Sequence, residues 1–159
     1  SLNNIYSATK SLGEIYKKNF YNIRCSIIGE ELYSNNFLLS WFLSNNDYTK
    51  VTGYTNHIWN GVTTKVFAKI LNTIIKDQIK IPNILHLIPK DKVSKYKLLK
   101  LIGILKKRKI KISKFKTKDS IDRTLDTNYK KLNLTLWKKT FLKQLTIKEM
   151  LTNFFEYEN

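Results

Sequence analysis

The stretch Tyr21-Asn-Ile-Arg24-Cys-Ser26-Ile-Ile-Gly29 constrains this chain most. Residues 22 to 28 read as one apolar run closed by a glycine, the pattern of a strand covered on both faces of a parallel sheet. Such a strand needs helices over it and strands along both edges. Helical periodicity on either side supplies the helices, so an α/β fold follows. The flanking strands are not recognisable, and an unpaired, aggregation-prone edge is expected.

Before it, residues 6 to 18 read as a helix with Ala8, Leu12 and Ile15 on one stripe. After it, Phe37, Leu38, Trp41 and Phe42 have the spacing of a core-facing helix, with Asn35 or Asn36 as its cap and a polar turn at Asn45 to Asp47. Val51 to Thr64 reads as a loop, crowded with Gly, Asn56, His57, Trp59 and Asn60, that ends at a helix capped by Thr63 or Thr64. That helix, 64 to 76, turns Val66, Phe67, Ile70, Ile74 and Ile75 inward, and its free N–H groups suit an anionic or hydroxyl-rich ligand. Pro82 and Pro89 bracket a strand at 84 to 88, and Ser94 caps a helix carrying Leu98, Leu101, Ile102 and Leu105. The alternation at 109 to 114 is a half-exposed strand, and Thr146 with Glu149 forms a capping box for a last helix to about Phe155.

Chemistry is suggested in one place. In Tyr6-Ser-Ala-Thr-Lys10-Ser-Leu-Gly13-Glu14, helical geometry sets Tyr6 and Lys10 one turn apart on one face. A free Tyr, with a pKa near ~10, protonates a carbonyl poorly, and a neighbouring ammonium lowers that pKa, making the pair a general acid/base. With nine Tyr and 26 Lys, one or two such spacings arise by chance. The second copy, Tyr96/Lys100, opens a Leu-rich helix and reads as packing.

Composition narrows the classes. The formal charge of +17 comes from 26 Lys and only three Arg, a bias that resembles AT-rich drift more than selection for bidentate phosphate contacts. The Lys90 to Lys118 segment, with 13 cations and one acid, reads as a solvated face, and no nucleic-acid partner is expected. Arg108, inside a Lys run, reads as solvated, while Arg24 and Arg123 stand as candidates for fixed hydrogen bonds. The single Cys25 reads as a small buried hydrophobe. His57 lacks a second ligand at metal spacing, so no metal is expected. Neither a leader nor an apolar run of membrane-spanning length is recognised, and a cytoplasmic location without a membrane partner is expected.

The run Y-x-x-x-K-x-x-G-E at 6 to 14, followed by the strand at 21 to 29, resembles the extended short-chain dehydrogenase/reductase family. Within it the likeness is to dTDP-4-dehydrorhamnose reductases and similar nucleotide-sugar reductases of polysaccharide synthesis. Ile84-Leu-His86-Leu-Ile88 is similar to that family's late strand, and Asp122-Arg-Thr-Leu-Asp126-Thr-Asn to its C-terminal segment. The resemblance implies the C-terminal part of a Rossmann-type fold plus a small mixed α/β substrate region. Residues 1–30 would be the remnant of the dinucleotide-binding domain, and 31–159 the substrate-binding region.

For the complete enzyme the resemblance implies transfer of hydride from NADPH or NADH to the C4 ketone of a nucleotide-linked 6-deoxy sugar. Tyr6 would protonate the developing alkoxide, and Lys10 would lower the Tyr6 pKa and bind the nicotinamide ribose. Ser26 and Ile27 would approach the cofactor. Ile28, Gly29, Asn56, His57, Trp59, Asn60 and Arg123 would contact the nucleotide-sugar, Arg123 either through the diphosphate or through a bidentate pair with Asp126. Ile27 and Val62 depart from the rhamnose reductases, which have an aromatic and tend to have Pro there.

The five glycines, at 13, 29, 53, 61 and 103, form no phosphate-cradling G-x-G-x-x-G turn, so the cofactor site is incomplete. The expectation is a C-terminal fragment of a ketoreductase, inactive alone, whose partner is an N-terminal dinucleotide-binding part, with a homodimer of the full enzyme. A nucleotide-sugar epimerase or dehydratase is the alternative, and a basic nucleic-acid-binding module the third reading.

Overall fold

A computed structural model describes residues 5–156, Tyr6 and Ser7 through their backbone. Six helices and nine short strands alternate along the described chain. The first unit is α1 (Ile5–Leu12), β1 (Asn22–Arg24) and β2 (Ile27–Ile28), followed by α2 (Leu38–Ser44). Next come β3 (Lys50–Tyr54), β4 (His57–Trp59), β5 (Val62–Thr63), α3 (Thr64–Lys76) and β6 (Ile84–His86). The chain continues through β7 (Val93–Ser94), α4 (Lys95–Leu105), β8 (Lys111–Phe115), β9 (Ile121–Arg123), α5 (Lys130–Phe141) and α6 (Ile147–Phe155).

Parallel pairing dominates, as an α/β chain predicts: β1 with β6, β2 with β5, β3 with β8 and β4 with β9, while β7 runs antiparallel to the other edge of β4. The core lies among α3, α4, α5 and α6 and the strands they cover, with Leu99, Ile102, Leu136, Trp137 and Ile147 wholly buried. Burial of such side chains stabilises by roughly 1.5–3 kcal/mol each. Trp137 also donates its indole N–H to the Ile88 carbonyl at 2.8 Å, so its buried polar atom is satisfied.

The local helix signals hold where their chemistry is local. Thr63 and Ser94 accept from the backbone N–H three residues on, at 3.3 Å each, and Thr146 with Glu149 completes the capping box.

Elsewhere the structure corrects the sequence reading. The helix expected over 6 to 18 ends at Leu12, because Gly13 closes the last turn and Asn22 captures both backbone groups of Ile15. The single strand expected over 22 to 28 is two, since the Cys25-Ser26 step carries the chain from β6 to a different neighbour, β5. Neither Asn35 nor Asn36 caps α2; Phe37 occupies the N-cap, and Glu31 accepts its N–H at 2.7 Å. Phe37 and Trp41, expected in the core, are exposed, while Leu39 and Phe42 point inward. Ile75, also expected inside, is exposed. The expected loop at 51 to 64 holds three strands, whose partners are 30 to 60 residues away or more and leave no local mark. Strand 84 to 88 shortens to 84–86, and strand 109 to 114 shifts to 111–115. Arg108 is not merely solvated: it donates to Asp47 Oδ1 at 2.9 Å and to the carbonyls of Leu43 and Asn45, fastening the end of α4 to the end of α2.

Candidate active site

The segment directly after the helix bearing the Tyr-Lys spacing is fastened to β1 by polar clips. Arg24, on β1, places Nε and Nη2 each 2.6 Å from the two Glu14 carboxylate oxygens, a bidentate pair. Tyr16 donates its hydroxyl to the same carboxylate. The Arg24 bonds, then the Tyr16 bond, hold the Glu14 carboxyl down at about 2, and the carboxylate in turn raises the Tyr16 phenol. Asn22 adds a donor to the Ile15 carbonyl at 3.0 Å and an acceptor for its N–H at 3.3 Å.

Those clips fix the chain where it leaves α1. Tyr6 and Lys10 are both in α1, at the separation that puts them one turn apart on one face. The Tyr6 hydroxyl lies outside the described atoms, and Lys10 is exposed. β1 is parallel to β6 with Arg24 opposite His86, whose Nδ1 lies 2.6 Å from the Asp126 carbonyl. The C-terminal segment at 122 to 128 is thereby drawn to the same edge as the motif.

Past β1 the chain passes close to β5. The Ser26 carbonyl accepts from Val62 N at 2.8 Å, Ile28 is buried, and Ile27 remains half exposed. Two glycines make this closeness possible. A Cβ on Gly29 would lie 2.5 Å from the Thr64 methyl, and one on Gly61 would lie 2.3 Å from the Ser26 carbonyl and 2.2 Å from the Trp59 ring. Any larger residue would part the two strands. Cys25, burial pushing its thiol up to about 11, packs against the core as a hydrophobe.

The other sequence candidates gather around β4. Register places Trp59 opposite Arg123 and His57 opposite Ile121, so His57, Trp59 and Arg123 share one face of the β7-β4-β9 sheet. His57 stacks on Tyr54, ring centroids 4.3 Å apart, with Nε2 3.1 Å from the Thr117 hydroxyl oxygen. Two of the group engage their own chain. Asn56 bonds Thr117 and Asp119, and buried Asn60 donates to the Leu125 carbonyl at 2.7 Å and accepts its N–H at 2.8 Å. Arg123 is exposed and makes no bidentate pair with Asp126, whose Oδ1 accepts from Thr127 N at 2.8 Å.

Sequence reasoning passed over two side chains here. Glu14 was visible inside the motif but had no assigned role until Arg24 was placed beside it. Lys95, read within the Lys90 to Lys118 face as solvated, instead has its Nζ 5.6 Å from the Trp41 ring centroid and 5.5 Å from that of Tyr54.

No family model and no curated protein sequence matches the chain. Solved structures do. The dTDP-4-dehydrorhamnose reductase of Bacillus anthracis str. Ames, in complex with NADP, aligns with a TM-score of 0.69 at 17% identity over 97% of this chain and 53% of its own. The Clostridium acetobutylicum ortholog aligns at 0.62 and 17% identity, over 87% of this chain and 48% of its own. A UDP-N-acetylglucosamine 4-epimerase from Methanobrevibacter ruminantium M1 aligns at 0.60 and 15% identity, over 96% and 50%. The chain thus spans about half the length of the structures it matches, and at such identities the likeness is one of fold. It shares the α/β architecture of about half of each of these reductases and this epimerase.

Proposed function

We propose that this chain is the sugar-side part of an NAD(P)H-dependent nucleotide-sugar ketoreductase that reduces the C4 ketone of a nucleotide-linked 6-deoxy sugar. The observation that carries the reading is the Glu14–Arg24 clamp, which ties the segment directly after the Tyr6/Lys10 helix to a parallel strand that is followed by half-exposed Ile27. Tyr6 gives the proton to the developing alkoxide, help worth roughly 10²–10⁴ in rate. Lys10 lowers the Tyr6 pKa and binds the nicotinamide ribose, and Ser26 and Ile27 flank the ring. Ile28, Gly29, His57, Trp59 and Arg123 bound the sugar-nucleotide. Asn56 and Asn60 act through the backbone they hold.

The residues present fit one wall of a nicotinamide site and no phosphate cradle, because a Cβ at Gly29 or Gly61 would meet this chain's own atoms, not open space. The dinucleotide, when bound, supplies the hydride. Residues 1–30 are proposed to complete a dinucleotide-binding part that brings the missing glycine-rich turn, and 31–159 to hold the substrate.

The test uses the protein carrying both parts, purified and given a dTDP-4-keto-6-deoxy sugar. One NADPH is consumed per sugar reduced. Tyr6→Phe abolishes turnover while cofactor still binds, Lys10→Met harms turnover and cofactor affinity together, and Tyr96→Phe leaves turnover within a few-fold. Retained turnover in Tyr6→Phe sinks the assignment. Sugar conversion without net NADPH oxidation would instead establish an epimerase, which the shared fold accommodates. The 159-residue chain alone gives no saturable NADPH binding by nucleotide fluorescence.

A further inference from the structure

The ribbon formed by β3 and β8 supplies none of the residues assigned to the reduction, yet one of its faces is built for something. Among the described residues the two strands pair only with each other, and alternate side chains turn inward. Val51 is buried, Ile112 packs against the core, and a Cβ on Gly53 would lie 2.7 Å from the Tyr96 ring of α4. The outer face is therefore made by the residues between them. Register puts Lys50 opposite Lys111, Thr52 opposite Ser113 and Tyr54 opposite Phe115. Cations stand at one end, hydroxyls in the middle and rings at the other, each rung roughly 6.6 Å from the next.

Two features of this face run against what stability alone would choose. Lys50 and Lys111 are both exposed and directly opposed, and like charges at facing positions repel. Among the described residues neither they nor Lys109 has an ion pair, and Asp47, beside Lys109, is already held by the Arg108 guanidinium. Tyr48 opens the ribbon by donating its N–H to the Lys109 carbonyl at 3.0 Å, with φ at 69°. That left-handed conformation disfavours a bulky side chain where Gly or Asn would sit freely. Burial does not compensate, since the Tyr48 ring is 64% exposed, with Lys109 Nζ 5.8 Å from its centroid. Phe115 is 52% exposed as well, in an edge contact with Tyr54 at 79° between planes.

Repelling ammonium groups flanked by exposed rings are complementary to a chain that alternates negative charge with planar groups. An extended single strand of nucleic acid does this at every nucleotide, whereas an acidic polypeptide supplies the charge alone. Binding of that kind rests on charge and stacking and asks for no bidentate fork, so 26 Lys against three Arg is no obstacle to it. Read along the sequence, Lys109 and Lys111 belong to a solvated run; their sorting onto one face with Tyr48 and Lys50 exists only once β8 lies beside β3.

We propose that the outer face of the β3–β8 ribbon binds single-stranded nucleic acid, with phosphates on Lys50, Lys109 and Lys111 and bases on Tyr48 and Phe115. The inference goes beyond the reductase reading and does not depend on it.

The experiment needs neither cofactor nor turnover. The purified chain is titrated into a fluorescein-labelled oligouridylate of about ten nucleotides, followed by fluorescence anisotropy over a series of salt concentrations. Binding is saturable. Lys50→Met and Lys111→Met each weaken it at least about fivefold and flatten the slope of log affinity against log salt by about 0.7. Phe115→Ala and Tyr48→Gly weaken it about tenfold and leave the slope unchanged. Tyr48→Gly does so with its denaturation midpoint unchanged or raised, a separation that a merely structural ring would not give. Lys148→Met removes an exposed cation on α6 and changes binding less than about twofold. Absence of saturable binding to the parent chain overturns the proposal. Equal weakening by Lys148→Met overturns it too, since that means general charge attraction. So does full affinity in Phe115→Ala, or displacement of the probe by polyglutamate as readily as by unlabelled oligouridylate, which would make the face a site for acidic polypeptides.

Discussion

The segment from 5 to 28 and the unit from 62 to 155 are built on different terms. In the second, helices α3 to α6 enclose Leu99, Ile102, Leu136, Trp137 and Ile147 with no exposure at all. In the first, Ile5 and Leu12 are more than four-fifths exposed, and among its described residues only Ile28 is fully buried, with Ile23 and Cys25 packed against the core's edge. Polar clips at Glu14, Asn22 and Arg24 hold the chain just after α1 where burial does not. One region is held by burial; the other is positioned by polar bonds, with an apolar face left exposed.

The contrast breaks hardest at Trp137. Trp137→Ala removes the largest wholly buried side chain and its bond to Ile88, and should cost about 3–5 kcal/mol, read as a lowered denaturation midpoint. Removing a helix cap in the same unit, Thr146→Ala, should cost about 1 kcal/mol by the same measurement. A loss at Trp137 of under about 1 kcal/mol would mean that the packed unit is not what carries stability.

The positioned region answers to pH. The Glu14 carboxyl, held at about 2 against an ordinary value of 4.5, contributes fully above the ordinary value. Its contribution is lost as pH falls from about 4.5 through about 2, because the unfolded segment binds the proton first. The Arg24 clamp is therefore expected to loosen in that window, seen as faster amide exchange in residues 8–16 before the core amides change. Glu14→Gln should reproduce the loosening at neutral pH with little shift in the global midpoint. Unchanged exchange in Glu14→Gln would show that α1 is held by something other than the clamp.

The smallest effect is expected at the leftover face. Leu12→Ser should change stability by no more than about 0.5 kcal/mol, because the side chain is already in water, while reducing self-association measured by light scattering. A large destabilisation would mean that Leu12 packs against something after all.

What the sequence determined by itself was whatever its chemistry states within a few residues. Thr63, Ser94 and the Thr146/Glu149 box announced three helices, since a cap and its acceptor are three positions apart. The α/β class and the likeness to nucleotide-sugar reductases were legible too, the latter through the order of motifs. Helix α5 went unread, its apolar positions diluted by Lys130, Lys131, Lys138 and Lys139, although it carries the most deeply buried tryptophan.

Only the tertiary structure decided the pairings. Strand β3 looks like loop until β8, some sixty residues on, lies beside it, and Arg108 looks like one more surface cation until Asp47 arrives across a similar gap. Asn60 reads as a ligand-facing amide until Leu125 takes both its bonds, and Lys95 reads as one more cation of a solvated face until the Trp41 and Tyr54 rings lie beside it. The physical reason is common to all four. A hydrogen bond, an ion pair or an unpaired charge is a property of two groups brought together in space, and a linear pattern records only one of them.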